Sequence, residues 1–394
     1  MKSILKFMIL GSSILLLFFG TTSLSMAADY QAVSAFSRDK AAIKGCVQNF
    51  DVFQFDTGTA YMVTGRCPTD STLKKEVTTF DIGKFNKSTK VFTRVGSAVN
   101  NISGKKIIGH ANSINIEKYN GQYYILFVEG TRPNLKVGCS KLIIERGTDK
   151  EIKSWKLEAA TTHYLTLFPK YQDVPVYSCS VGTSENYLCI ATGYGTTKEN
   201  DRERYHIYDK QKMLAKLTTG NYAQGSFNNI RYGTGMFSKT TSLGLNISKA
   251  NTVIQCIELS EPDTKSLIIF GAIDNRNGLT KHQINRVYIK LNKSGNQLSA
   301  QSLDKNKRYY SKVERLQDGA SKISMNCKNG TITHNFELEG LKQFKGMSSA
   351  GIPNGWYLSI HNTYFYQYNR DVSDTKNWYY KIYKAPTLPV INYK

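Results

Sequence analysis

The residues best equipped for chemistry stand in the string Gly109-His110-Ala111-Asn112-Ser113, just ahead of a strand that leads to an Asn120-Gly121 turn. An imidazole and a carboxamide so placed can meet a ligand; the competing use is to satisfy backbone groups where neighbouring sheets touch. The other histidines, His163, His206, His282, His334 and His361, show no His-x-x-x-His spacing, and the chain has no Cys-x-x-Cys pair. The spacing therefore offers no zinc site, and neither a metal nor a cofactor is expected. A Gly-x-Ser-x-Gly elbow for nucleophilic serine chemistry is also missing from the sequence. Glu129 and Glu258 each end or interrupt an apolar run. Two facing acids could cleave a glycosidic bond, but these two read first as partners in surface hydrogen bonds. Near the C-terminus, Tyr364-Phe365-Tyr366 and Trp378-Tyr379-Tyr380 are interleaved with Arg370, Lys376, Lys381 and Lys384. Rings beside cations can stack on sugars while holding phosphate or carboxylate, which makes Trp378, Tyr380 and Arg370 ligand-binding candidates. Burial of the same rings against a neighbouring sheet is the alternative.

The elements that must position these groups are strands. Helical periodicity is nearly absent, whereas short β-branched and aromatic runs bounded by Gly, Asn, Asp and Ser recur throughout. A pair of strands repeats. Its first members begin at Ala60, Tyr123, Tyr187, Ser266 and Trp356, and its second members at Thr79, Lys141, Arg204, Asn285 and Asn377. The pairs recur roughly every 60 residues at first and more widely toward the C-terminus, which is the mark of a repeat architecture. An antiparallel unit of that length fits one blade of a β-propeller, so the expectation is an all-β chain forming a single five-bladed propeller. Six blades are the runner-up, because the stretch from Ile323 to Phe336, turning at Asn329-Gly330, could add a degenerate hairpin. In such a ring the last blade can close by pairing with the N-terminal segment.

Lys2 and Lys6, an apolar run from Phe7 to Phe19 and the small-residue exit Ser25-Met26-Ala27-Ala28 have the layout of a secretory signal, so 1–27 is expected to be removed and 28–394 to form the propeller, secreted and extracellular. No later stretch reads as a membrane span. The chain carries a net charge of +22. That excess points to anionic partners, such as a bacterial envelope polymer or an acidic glycan, without a specific nucleic-acid signature; plain solubility is the competing explanation. The seven cysteines are an odd number for an oxidising compartment. Cys46 with Cys67, and Cys179 with Cys189, flank turns and are the disulfide candidates, against the alternative of buried thiols.

Together the signal, the string from Gly109 to Ser113, the later Gln224-Gly225 and the hairpin Gly351-Ile352-Pro353-Asn354-Gly355-Trp356-Tyr357 resemble the helveticin J-like family of large secreted bacteriocins. That resemblance implies killing of related bacteria at their envelope and supplies no catalytic motif to carry onto residues here. The seven cysteines and the signal depart from the family's pattern. The reading that follows is a basic propeller that binds an anionic component of the bacterial envelope. An extracytoplasmic enzyme acting on glycan or phosphate ester, and a non-catalytic adhesin, are the alternatives.

Overall fold

A strand can be apolar along its whole length only if both of its faces are covered. In the computed structural model each such run is the second strand of a four-stranded antiparallel sheet. The structure describes residues 33–38, 47–68, 70–131, 134–159, 162–165, 176–194, 202–220, 231–238, 252–263, 266–275, 282–294, 297–301, 310–316, 325–327, 330–332, 336–362 and 381–385.

Blade 1 has the order β2 (Val47–Gln54), β3 (Ala60–Arg66), β4 (Thr79–Asn86), β5 (Val91–Val99), and β1 (Val33–Arg38) precedes it in the chain. A two-stranded ribbon, β6 (Asn101–Ile102) with β7 (Lys105–Lys106), leads to blade 2: β8 (Ile114–Tyr119), β9 (Gln122–Glu129), β10 (Lys136–Arg146) and β11 (Ile152–Leu157), with β12 (His163–Leu165) also on β10. Blade 3 is β13 (Val176–Thr183), β14 (Tyr187–Tyr194), β15 (Arg202–Asp209) and β16 (Arg231–Ser238). Blade 4 is β17 (Thr252–Asp263), β18 (Ser266–Asn275), β19 (His282–Ser294) and β20 (Gln297–Gln301), with β21 (Tyr310–Leu316) also on β19. After the ribbon β22 (Met325–Cys327) and β23 (Gly330–Ile332), blade 5 runs β24 (Phe336–Phe344), β25 (Gly355–Asn362), β26 (Lys381–Ala385), and its fourth strand is β1. The first and last described strands thus meet: Val33 lies opposite Lys384, and Ser37 opposite Lys381.

The first strands form a closed ring, with β2 against β8, β8 against β13, β13 against β17, β17 against β24 and β24 against β2. This closure defines a five-bladed β-propeller. Among the described residues, the stretch considered for a sixth blade contributes the β22–β23 ribbon.

The core lies between blades. Phe53, Tyr61, Phe80 and Ile82 of blade 1 pack on Ile125, Phe127, Leu142 and Trp155 of blade 2. Leu126, Val128 and Cys139 continue to Leu188 and Ile190 of blade 3. Phe50, Val52 and Phe92 meet Phe344, Ile352 and Tyr357 of blade 5. All seven residues of β3 are buried, as a strand covered on both faces requires. Close approach at the ring needs a glycine at Gly182, where a Cβ would stand 2.9 Å from the Ile257 carbonyl oxygen.

One helix, unexpected from the sequence, follows β15. In α1 (Lys210–Thr219) the Asp209 side chain accepts from the Lys212 N–H, Gly220 closes the end in the left-handed conformation, and Met213, Leu214 and Leu217 face the core between blades 2 and 3.

The expected Cys179–Cys189 disulfide is corrected. Cys67, Cys179 and Cys189 are buried thiols. In the β13–β14 hairpin Cys179 lies opposite Thr192 and Cys189 opposite Gly182, so the register separates the two sulfurs by three pairs. Cys67 lies near Glu76 and His110, and Cys46, its expected partner, falls outside the described residues.

Candidate active site at the propeller axis

The inner strands differ from the second strands in having one polar face. On β8 and the residue before it, Ser113, Asn115 and Glu117 alternate with Ile114 and Ile116; on β2, Asn49 and Asp51 alternate with Phe50 and Val52. Period-two alternation turns the polar set one way and the apolar set into the blade packing. Five strands converging on one axis then bring their polar residues together.

Hydrogen bonds run around this ring. The Asn49 side chain donates to the Asn112 carbonyl (2.9 Å), and the Ile116 N–H donates to Asp51 Oδ2 (2.7 Å), joining blades 1 and 2. Ser113 Oγ donates to the Val181 carbonyl (2.9 Å) and accepts from the Val181 N–H (2.7 Å), while Asn115 Nδ2 donates to the same carbonyl (3.0 Å). The Ile257 N–H donates to Ser180 Oγ (3.1 Å), joining blades 3 and 4. Lys342 of blade 5 reaches Glu258 Oε2 of blade 4 (3.2 Å) and also donates to Asn115 Oδ1 of blade 2. Its ammonium therefore links three blades, with only 4 % of the Lys342 side chain and 8 % of the Glu258 side chain exposed.

The charges are unequal in number. Burial pushes the Glu258 carboxyl up to about 8; Lys342 opposes that rise and the nearby Asp51 adds to it. Burial also raises Asp51, against the pull of Lys342 and the Ile116 N–H. Burial works against the Lys342 ammonium as well, but Glu258 and Asp51 outweigh it and hold the proton more firmly than on an ordinary lysine. One cation facing two carboxyl groups can balance one negative charge, so near neutral pH the other carboxyl keeps its proton. Glu258, lifted to about 8, is then a carboxyl that holds a proton near neutral pH, and Asp51, also raised by burial, is the second acid of the group.

Of the residues the sequence singled out, Glu258 proves to be an axial group and not a surface partner. Glu129 sits at the end of β9, 4.0 Å from the Lys136 ammonium. Asn112 is buried at the seam of blades 1 and 2, and His110 lies outside the axial network, its Nδ1 2.7 Å from Glu76 Oε2. Trp378, Tyr380 and Arg370 lie outside the described residues. Sequence reasoning missed Asp51, Asn115 and Lys342, although polar residues alternating with apolar ones just before each apolar second strand were the available signal.

No family model and no curated protein matches the chain. Solved structures similar to it include an endo-arabinase from Bacteroides thetaiotaomicron (11% identity, TM-score 0.46, covering 91% of this chain and 98% of that one). An α-L-arabinofuranosidase from Fusarium graminearum (8% identity, TM-score 0.41, 91% and 98% covered) and an α-L-arabinanase from Penicillium chrysogenum (9% identity, TM-score 0.38, 84% and 79% covered) are also similar. At this distance their activities do not transfer to the chain. The expected kinship with helveticin J-like bacteriocins is corrected: no family model or curated protein of that kind matches the chain, and none of these similar structures is a bacteriocin.

Proposed function

We propose that the chain is a glycan-cleaving β-propeller enzyme in which Glu258 acts as general acid and Asp51 as general base or nucleophile. The observation that carries this reading is the axial group of two carboxyls and one ammonium, in which burial lifts Glu258 to about 8 while Lys342 opposes the rise in both acids. Glycoside hydrolysis needs one carboxyl that still holds a proton to give to the leaving oxygen and a second that is ionised. Lys342, itself held by Asn115 Oδ1, positions Glu258. The net charge of +22 favours an acidic polysaccharide over a neutral one, and the secretory layout of residues 1–27 favours an extracellular site of action on an envelope or wall glycan.

The test is release of reducing ends from polygalacturonate, arabinan and xylan by the purified mature chain, beside the variants Glu258→Gln and Asp51→Asn. Each variant is expected to lose about 10²–10⁴-fold in turnover. Cleavage of none of the three polymers, or unchanged turnover in Glu258→Gln, would overturn the assignment.

A further inference from the structure

We propose that Cys67, Glu76 and His110 form a binding site for a borderline-soft divalent transition ion, with Zn²⁺ the best match. The three residues come from separate segments: the end of β3, the connection from β3 to β4, and the connection from β7 to β8. One ligand atom from each lies within 4.8 Å of the other two. In a tetrahedral zinc site with bonds of about 2.0–2.3 Å, neighbouring ligand atoms are roughly 3.3–3.8 Å apart, so a contraction of about 1 Å completes the geometry. His110 Nδ1 and Glu76 Oε2 are already 2.7 Å apart. Their hydrogen bond is exchanged for two bonds to the ion.

The backbone around these residues is clamped. The Val77 N–H donates to the Pro68 carbonyl (3.0 Å), the Thr78 N–H to Ile107 (2.8 Å), the Gly109 N–H to Glu76 (3.1 Å) and the Gly130 N–H to Ile108 (2.7 Å). Val77 and Ile108 also form a β-bridge. This short lattice fixes Glu76 between Cys67 and His110, so little chain entropy remains to be lost when an ion binds. Ala111, next to His110, is held at a φ of +54°, an uncommon conformation for a residue with a Cβ, and strain of that kind persists where the surroundings over-determine a local geometry.

The donor set selects the ion. A thiolate and an imidazole favour zinc or cobalt over magnesium or calcium, which prefer oxygen ligands. With Cys67 and Glu76 both ionised, a divalent cation is neutralised. The His110 side chain is 36 % exposed and that of Glu76 50 %, whereas Cys67 is buried, so the fourth position opens toward solvent. Three protein ligands with one open position is the layout of zinc sites that bind water or substrate.

The experiment is titration of the reduced, chelator-stripped full-length protein with Co²⁺, followed by Zn²⁺. Expected are one cobalt per chain, a thiolate-to-cobalt charge-transfer absorption with tetrahedral visible bands, and displacement by zinc. Cys67→Ser should abolish the charge-transfer absorption. His110→Ala and Glu76→Gln, both at solvent-facing positions, should weaken binding by about 100-fold or more, since even outer-shell partners of metal ligands are worth 10–100-fold. If Cys67→Ser fails to fold, the two solvent-facing variants decide the question. Absence of the thiolate band in the wild type, its persistence in Cys67→Ser, or unchanged affinity in His110→Ala and Glu76→Gln would each overturn the site. None of these readouts uses glycan turnover, so failure of the site and failure of the proposed enzymatic activity are separately visible.

Discussion

Replacing Glu258 by Gln should change how the stability of the whole molecule depends on pH. In the folded wild type the Glu258 carboxyl is lifted to about 8 by burial, against an ordinary 4.5. Below pH 4.5 the group is protonated in both states and its contribution to stability is complete. Between 4.5 and 8 the unfolded chain has released the proton and the folded protein retains it, so stability falls as pH rises; above 8 both states are ionised and the loss stops growing. At about 1.4 kcal/mol per pH unit, the loss across this window is of the order of 4–5 kcal/mol. Gln keeps the shape and a hydrogen-bonding oxygen for Lys342, which retains Asn115 as a partner, but does not titrate. Urea denaturation followed by circular dichroism at unit steps from pH 4 to 9 should therefore show the wild type losing several kcal/mol more than Glu258→Gln over this range. Parallel pH profiles for the two proteins would refute a proton held at the axis, and with it the assignment of Glu258 as acid.

Two further outcomes test the frame around that site. Ser113→Ala removes both bonds to Val181 and leaves a buried N–H unpaired at the seam of blades 2 and 3, so thermal and urea denaturation should show a loss of about 1–3 kcal/mol. Cys139, Cys179, Cys189 and Cys256 are buried thiols, and burial pushes Cys139 up to about 12 and the thiols of Cys179 and Cys189 further still. A thiol-directed reagent counted by mass spectrometry should leave all four unmodified in the native protein and modify them in denaturant, and rapid native labelling would contradict the packing between blades.

The fold was legible because the second strands of the blades are covered on both faces. Tyr61-Met62-Val63 or Ile125-Leu126-Phe127 can be read locally, and their recurrence reports the number of blades. The site was less legible because it is made by closure. Asp51, Asn115, Glu258 and Lys342 come from four different blades, and each by itself is one polar residue in a mixed strand. Their meaning depends on the register and convergence of strands far apart in the chain. His110 could be singled out from its local string, but Cys67 and Glu76 reach it only through the bridge at Val77 and Ile108. The Cys179–Cys189 expectation failed for a related reason: flanking a turn does not make two residues opposite, and the β13–β14 register decides against it. The helix α1 was missed because, apart from Asp209 and Gly220 at its ends, its sequence is short and only weakly amphipathic.

The fourth strand of blade 5 is β1, from the opposite end of the chain. β1 also lies parallel to β5 at Ser37 and Arg38, but its antiparallel partner β26 is at Lys381–Ala385, so the ring stays unsealed until that late strand is made. Contacts so distant in sequence form slowly. Handling by chaperones that shield such edges, and vulnerability to swapped partners between neighbouring chains during that wait, follow from where the ring is sealed.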